Sequence, residues 1–105
     1  MNYRGRLDII ADILNVVSKE AKKTQIMYQA NLSYNVLQKY IRELSAASLV
    51  SFLDEKRCYQ LTEKGRRFLE VYEEYSKTKK IADEHLSDAA SRRKGLLSLV
   101  PSDLP

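Results

Sequence analysis

The fold is decided by residues 24–34, a short stretch that reads TQIMYQANLSY. Its apolar residues share one face of a short helix over residues 25–30, for which Thr24 is a suitable N-cap. Ser33 is a good N-cap for a longer helix over residues 34–47. Because only a short turn separates the two helices, this stretch predicts a helix-turn-helix unit.

The sequence on either side of this unit predicts a helix before it and a β-hairpin after it. Residues 6–18 carry apolar side chains at helical spacing around more than half of the circumference, as in a helix packed between other elements. Residues 49–53 and 58–61 are rich in strand formers, and Asp54 between them is a suitable turn starter. The expected fold is therefore mainly α with a small β-hairpin.

The C-terminal part of the chain predicts one long helix. Thr62 is a suitable N-cap, and between it and Lys94 only Gly65 weakens a helix. The basic residues 92–94 oppose the helix dipole, and Gly95 can take the left-handed conformation that ends a helix. We therefore expect this helix to end near Lys94.

Residues along one face of the long helix alternate spacings of four and three, the pattern of a two-stranded coiled coil. The residues of this seam are Phe68, Tyr72, Tyr75, Lys79, Ala82, Leu86 and Ala89. We predict that the seam pairs with a second copy of the chain. The chain then divides into a helix-turn-helix core with its hairpin over residues 1–65, a dimerisation helix over residues 66–94 and a flexible tail over residues 95–105.

One face of the predicted third helix carries residue types that contact nucleic acids. Asn35, Gln38, Lys39 and Arg42 lie opposite its apolar side. Amides and arginine can hydrogen-bond to base edges, and lysine neutralises phosphate. The same composition is typical of the solvated face of an ordinary amphipathic helix, and the sequence leaves this alternative open.

A recognition helix in the major groove of DNA places its N-terminal residues against the bases. The base-reading candidates are Ser33, Tyr34, Asn35 and Gln38. The candidates for contacts with the DNA backbone are Lys39, Arg42, Lys56, Arg57, Lys22, Lys23, Gln25, Arg4 and Arg6. At the hairpin tip a solvated turn is the alternative, since Asp54 and Glu55 are acidic. We expect Glu43 to pair with a neighbouring basic residue or to face solvent.

Composition limits the classes of function. Among 105 residues, 18 are basic and 14 acidic, and the net charge of +4 is compatible with a polyanionic partner. Cys58 and His85 are too few ligands for a structural zinc site, and there is no glycine-rich phosphate loop. We therefore expect no enzyme, no metal and no cofactor. The polar, basic start and the short apolar runs predict neither a signal peptide nor a membrane span, and hence a cytoplasmic protein.

Residues 24–34, with Leu37, Tyr40 and Leu44 behind them, resemble the archaeal winged helix-turn-helix DNA-binding proteins. The most similar in appearance are small dimeric chromatin-associated proteins and the predicted transcriptional regulators related to them. A second stretch, YQLTEKGRRFL at residues 59–69, is similar to the strand-to-helix junction of many winged helices. The resemblance covers about residues 7–75.

This resemblance implies a winged-helix core, an antiparallel coiled coil between two long C-terminal helices, and double-stranded DNA binding by the dimer at the nucleoid. Ser48 is a departure, because such families often carry glycine before the first wing strand. The resemblance leaves open whether the protein is a transcriptional regulator or a general chromatin protein. The alternative function is a winged-helix protein-interaction module without DNA binding.

Overall fold

The computed structural model describes residues 4–98, except for the side chains of residues 87–89 and 97–98. The elements in this part of the chain are α1 (Arg6–Val17), α2 (Lys23–Gln29), α3 (Tyr34–Ala46), β1 (Val50–Leu53), β2 (Cys58–Leu61) and α4 (Glu63–Ser98). Within the described residues, 4–72 form one compact unit and 73–98 form another. The predicted order of helices and strands is confirmed.

Helix α2 begins two residues earlier than the sequence predicts, and Thr24 is not its N-cap. The N-cap is Lys22, whose backbone N–H donates to Gln25 Oε1 at 2.9 Å. The preceding Ala21 exchanges two backbone hydrogen bonds with Tyr59, of 2.8 and 3.0 Å. This bridge to the hairpin keeps the chain extended up to Lys22, so that the helix starts directly after it.

A left-handed residue makes the turn between α2 and α3. Asn31 has a φ of 53°, which asparagine tolerates better than most residues. The N–H of Leu32 then donates to the carbonyl of Met27 at 2.9 Å and closes the C-terminal turn of α2. Ser33 Oγ accepts from the backbone N–H of Val36 at 3.3 Å, which confirms the predicted cap of α3.

A single apolar cluster holds the first three helices and the hairpin together. Its fully buried members are Ile13, Leu14, Val17, Ile26, Leu37 and Leu44. A helix as short as α2 is unstable alone, so burial of Ile26 in this cluster is what keeps it folded. Leu7, one of the apolar residues in the helix predicted over residues 6–18, is not part of this cluster and is 44% exposed.

Three residues fix the junction of α3, the hairpin and α4. Ser48 has a φ of 63° and takes the left-handed position for which the resemblance favoured glycine. A Cβ on Gly65 would lie 2.3 Å from the carbonyl oxygen of Leu49, so only glycine fits there. Thr62 Oγ1 accepts from the N–H of Gly65 at 3.0 Å, which confirms Thr62 as the cap of α4. The strands pair antiparallel, from Val50 with Leu61 to Leu53 with Cys58.

Helix α4 runs past its predicted end. It continues to Ser98, and Gly95 lies inside it without the left-handed φ that a C-terminal cap needs. Glycine costs only about 1 kcal/mol in a helix, and leucines that favour helices follow it. The rest of the predicted tail, residues 99–105, lies outside the described residues. Within residues 4–98 no helix has the length and apolar character to cross a membrane.

Candidate nucleic-acid interface

The polar face of α3 is open to solvent. Leu37, Ile41 and Leu44 anchor the opposite side of the helix in the core. Asn35, Lys39 and Arg42 are exposed, and Gln38 is half-buried. Within residues 4–98, no carboxylate pairs with Lys39 or Arg42. Their charges are therefore available to an outside partner.

Lys23 at the start of α2 joins two residues of α3 into a cluster. Its Nζ donates to Gln38 Oε1 at 2.6 Å and lies 5.7 Å from the centre of the Tyr34 ring. We call Lys23, Tyr34 and Gln38 the Lys23 cluster. From the sequence, Lys23 was a candidate for contacts with the DNA backbone, and Tyr34 and Gln38 were base-reading candidates. Their spatial contact was not predicted, because it depends on the angle between the two helices.

Arg6, a predicted backbone contact, is paired inside the protein. Its guanidinium forms an ion pair with Glu43 and lies 5.7 Å from the centre of the Tyr40 ring. The hydrogen bond to Glu43, and then the charge of that carboxylate, raise the pKa of Arg6 above its usual value. Of the two alternatives expected for Glu43, pairing with a basic residue is the one that the structure shows.

Arg4, another predicted backbone contact, binds the C-terminal end of α2. Its guanidinium donates to the carbonyls of Ala30 and Asn31, the second at 2.8 Å, and to Asp12 Oδ2 at 3.0 Å. A guanidinium fork suits the unpaired carbonyls at a helix end, and its charge opposes the helix dipole. Arg4 therefore serves the helix-turn-helix itself. Sequence reasoning missed this role, since 26 residues separate Arg4 from Ala30.

Of the two cations at the hairpin tip, Lys56 is paired with a carboxylate, and Arg57 has no carboxylate partner among the described residues. Lys56 Nζ lies 3.3 Å from Glu20 Oε2, so a carboxylate already neutralises its charge. Arg57 is exposed and has a left-handed φ of 50°. Asp54 and Glu55 are exposed in the same turn.

The last two backbone candidates lie at the start of α2. Lys22 is exposed, whereas Gln25 uses its side-chain oxygen to cap the helix. In the described part of the chain, the candidate cations that no carboxylate pairs with are Lys22, Lys23, Lys39, Arg42 and Arg57.

The predicted seam of α4 falls into two parts. Phe68 packs against the core of the first unit, and the Tyr72 hydroxyl donates to Asp8 Oδ1. Both therefore have partners within their own domain. The remaining described seam residues are exposed; they are Tyr75, Lys79, Ala82 and Leu86. The side chain of Ala89 lies outside the described residues.

Comparison with known proteins identifies this arrangement. A family model described as winged helix-turn-helix matches residues 3–80. The chain belongs to the winged helix-turn-helix family. Two archaeal relatives from Methanocaldococcus jannaschii match over 72 residues. Uncharacterized protein MJ0290 is 42% identical over 68% of this chain and 33% of its own length, and uncharacterized protein MJ0287 is 35% identical over 67% of this chain and 72% of its own. The winged helix-turn-helix chain thus spans one third of the length of MJ0290.

A solved structure shares the winged helix-turn-helix fold. The crystal structure of Sso10a-2, a DNA-binding protein from Sulfolobus solfataricus, superposes with a TM-score of 0.67 at 26% sequence identity. The match covers 95% of this chain and 100% of the other. The predicted fold class and the resemblance to archaeal winged helix-turn-helix proteins are confirmed.

The assignment of Arg4 to the fold predicts that Arg4→Lys lowers stability although it keeps the charge. Lysine lacks the planar guanidinium that binds two carbonyls and a carboxylate at once. We therefore expect the free energy of unfolding to fall by about 1 kcal/mol. That loss lowers the thermal midpoint by about 4–8 °C for a domain of this size. Arg42→Lys, which changes an exposed cation of α3, is the matched control and leaves the midpoint unchanged. Equal midpoints for Arg4→Lys and wild type would contradict the assignment.

Proposed function

We propose that this protein binds double-stranded DNA as a dimer, with α3 in the major groove, as a transcriptional regulator or a chromatin-associated protein. The observation that carries the proposal is the open polar face of α3, where Asn35, Lys39 and Arg42 are exposed on a helix whose other side is buried. In helix-turn-helix proteins this second helix enters the major groove.

The distribution of ion pairs supports DNA as the partner. Arg4, Arg6 and Lys56 are each paired with a carboxylate. Lys39 and Arg42 on α3 are not paired with any carboxylate of the described residues. Glu43 directly follows Arg42 in the same helix, but it pairs with Arg6 instead. Glu43 is the only acidic residue in the sequence of α3, and its pairing with Arg6 reduces its repulsion of phosphate. We infer that Lys39 and Arg42 contact phosphates, while Ser33, Tyr34, Asn35 and Gln38 face the bases.

Family membership and the likeness to Sso10a-2 support the same function, since that protein is a DNA-binding protein with the same fold. Fold alone does not decide function. The charge pattern on α3 is therefore the stronger support, because it belongs to this chain.

The dimer part of the proposal depends on the exposed seam of α4. Leu86 is 68% exposed and Tyr75 is 46% exposed, in a helix whose other outward residues are mostly charged. Apolar side chains at coiled-coil spacing are buried when two copies pair. We propose that this part of the seam, after Tyr72, is the dimer interface.

Binding to a duplex of random sequence tests the DNA proposal. We expect affinity to fall about a thousandfold between about 50 and 200 mM salt, as for a protein that neutralises about six phosphates. Arg42→Ala and Lys39→Ala should each weaken binding and reduce the slope of log K against log salt by about 2, one contact per protomer. Fluorescence anisotropy with a labelled duplex measures both quantities.

Lys80→Ala is the matched control, because it removes the same charge from an exposed position of α4. It should leave the slope unchanged. Equal slopes for wild type and the two α3 variants would rule out α3 as the DNA-contacting helix. No binding to any duplex at low salt would instead favour the protein-interaction module.

Light scattering of the full chain tests the dimer. We expect wild type at twice the chain mass of 12.1 kDa. Leu86→Glu places a charge in the seam and should shift the protein to the monomer mass, because an unpaired carboxylate is costly to bury. Ser91→Glu adds the same charge on the opposite side of the helix and should remain dimeric. A dimeric Leu86→Glu would show that the interface lies elsewhere.

A further inference from the structure

The Lys23 cluster gives Lys23 a different position from the other cations near α3. Lys22, Lys39 and Arg42 are exposed, whereas Lys23 is half-buried and its ammonium is bound to Gln38 and faces the ring of Tyr34. Both of these partners are base-reading candidates on α3. Lys23 is therefore bound to the groups that would read the bases.

The chemistry of this hydrogen bond fixes the orientation of the Gln38 amide. An ammonium group has three donors and no acceptor, so the amide atom that faces it must be the oxygen. Because the donor is an ammonium ion, this 2.6 Å contact is a charge-assisted hydrogen bond, which is stronger than one between two neutral groups. The amide nitrogen is then turned to the other side.

An amide with a fixed orientation reads bases differently from a free one. A free glutamine can turn over and exchange its donor and acceptor, and it can then satisfy several base edges. A glutamine whose oxygen is held by Lys23 presents its donor and acceptor in one order only. The second contact of Lys23, with Tyr34, limits the movement of the ammonium and so of the amide.

We propose that Lys23 is a positioning residue for DNA sequence preference, acting through the orientation of the Gln38 amide. This proposal rests on the proposed DNA-binding function. Lys23 on this account adds base discrimination at one position of the binding site, whereas Lys22, next to it in the sequence, adds affinity for any sequence.

Selection from a randomised duplex library, with sequencing of the bound fraction, tests this role. The base pair read by Gln38 is identified as the position at which Gln38→Ala abolishes the preference of the wild-type protein. We expect Lys23→Met, which keeps most of the aliphatic chain and removes the ammonium, to reduce the preference at that base pair about tenfold and to leave other positions unchanged. Arginine, like lysine, donates hydrogen bonds and cannot accept them. Lys23→Arg should therefore retain the wild-type preference.

Two further variants complete the test. Lys22→Met should lower affinity for all sequences equally and change no preference. Lys23→Gln keeps a polar group of similar length but can donate or accept, so it should relax the same base pair as Lys23→Met and provides the test if Lys23→Met fails to fold.

The outcomes separate this proposal from the one on which it depends. Uniform loss of affinity in Lys23→Met and Lys23→Gln, with the wild-type preference intact, would make Lys23 an ordinary phosphate contact and overturn the inference while DNA binding stands. A wild-type profile that Gln38→Ala leaves unchanged would overturn it as well. Absence of any bound duplex would contradict the proposed function itself.

Discussion

The presentation of α3 depends on how the two ends of α2 are held. Seven residues form α2, too few for a stable isolated helix, so tertiary contacts must fix its position. At one end the bridge between Ala21 and Tyr59 ties the helix start to the hairpin. At the other end the left-handed Asn31 turns the chain, and the Arg4 guanidinium binds the last carbonyls. With both ends fixed and Ile26 buried, the chain can leave α2 in only one direction, and that direction sets which face of α3 is open.

The cations of the first unit have two different functions in this account. Arg4, Arg6 and Lys56 are paired with carboxylates and tie together segments that are distant in the sequence. Lys39 and Arg42 lack such partners in the described residues and lie on the open face of α3. The net charge of +4 does not distinguish these two groups, because a cation in an ion pair and a cation available to phosphate each count as one positive charge. The positions of the carboxylates decide which basic residues remain for a polyanion.

Most of the fold could be predicted from the sequence, because its determinants are local. The caps Ser33 and Thr62 and the apolar spacing of α3 act within a few residues, and the structure confirms them. The errors have non-local or weak causes. Helix α2 starts at Lys23 because a bridge to Tyr59, far along the chain, holds Ala21, and α4 passes Gly95 because one glycine is a small cost in a long helix. For the candidate site, the residue types on α3 could be predicted from the sequence. The contact of Lys23 with Gln38 could not, because it depends on the angle at which α2 and α3 cross.

The central claim is that the open face of α3 is the surface that meets DNA. Its most direct test is an NMR titration of the ¹⁵N-labelled protein with a short duplex at low salt, in which each backbone amide reports its own surroundings. We expect the largest chemical-shift changes in the N-terminal half of α3 and at Lys22 and Lys23, with smaller changes at the hairpin tip. Changes confined to α4, with the amides from Ser33 to Arg42 unaffected, would contradict it.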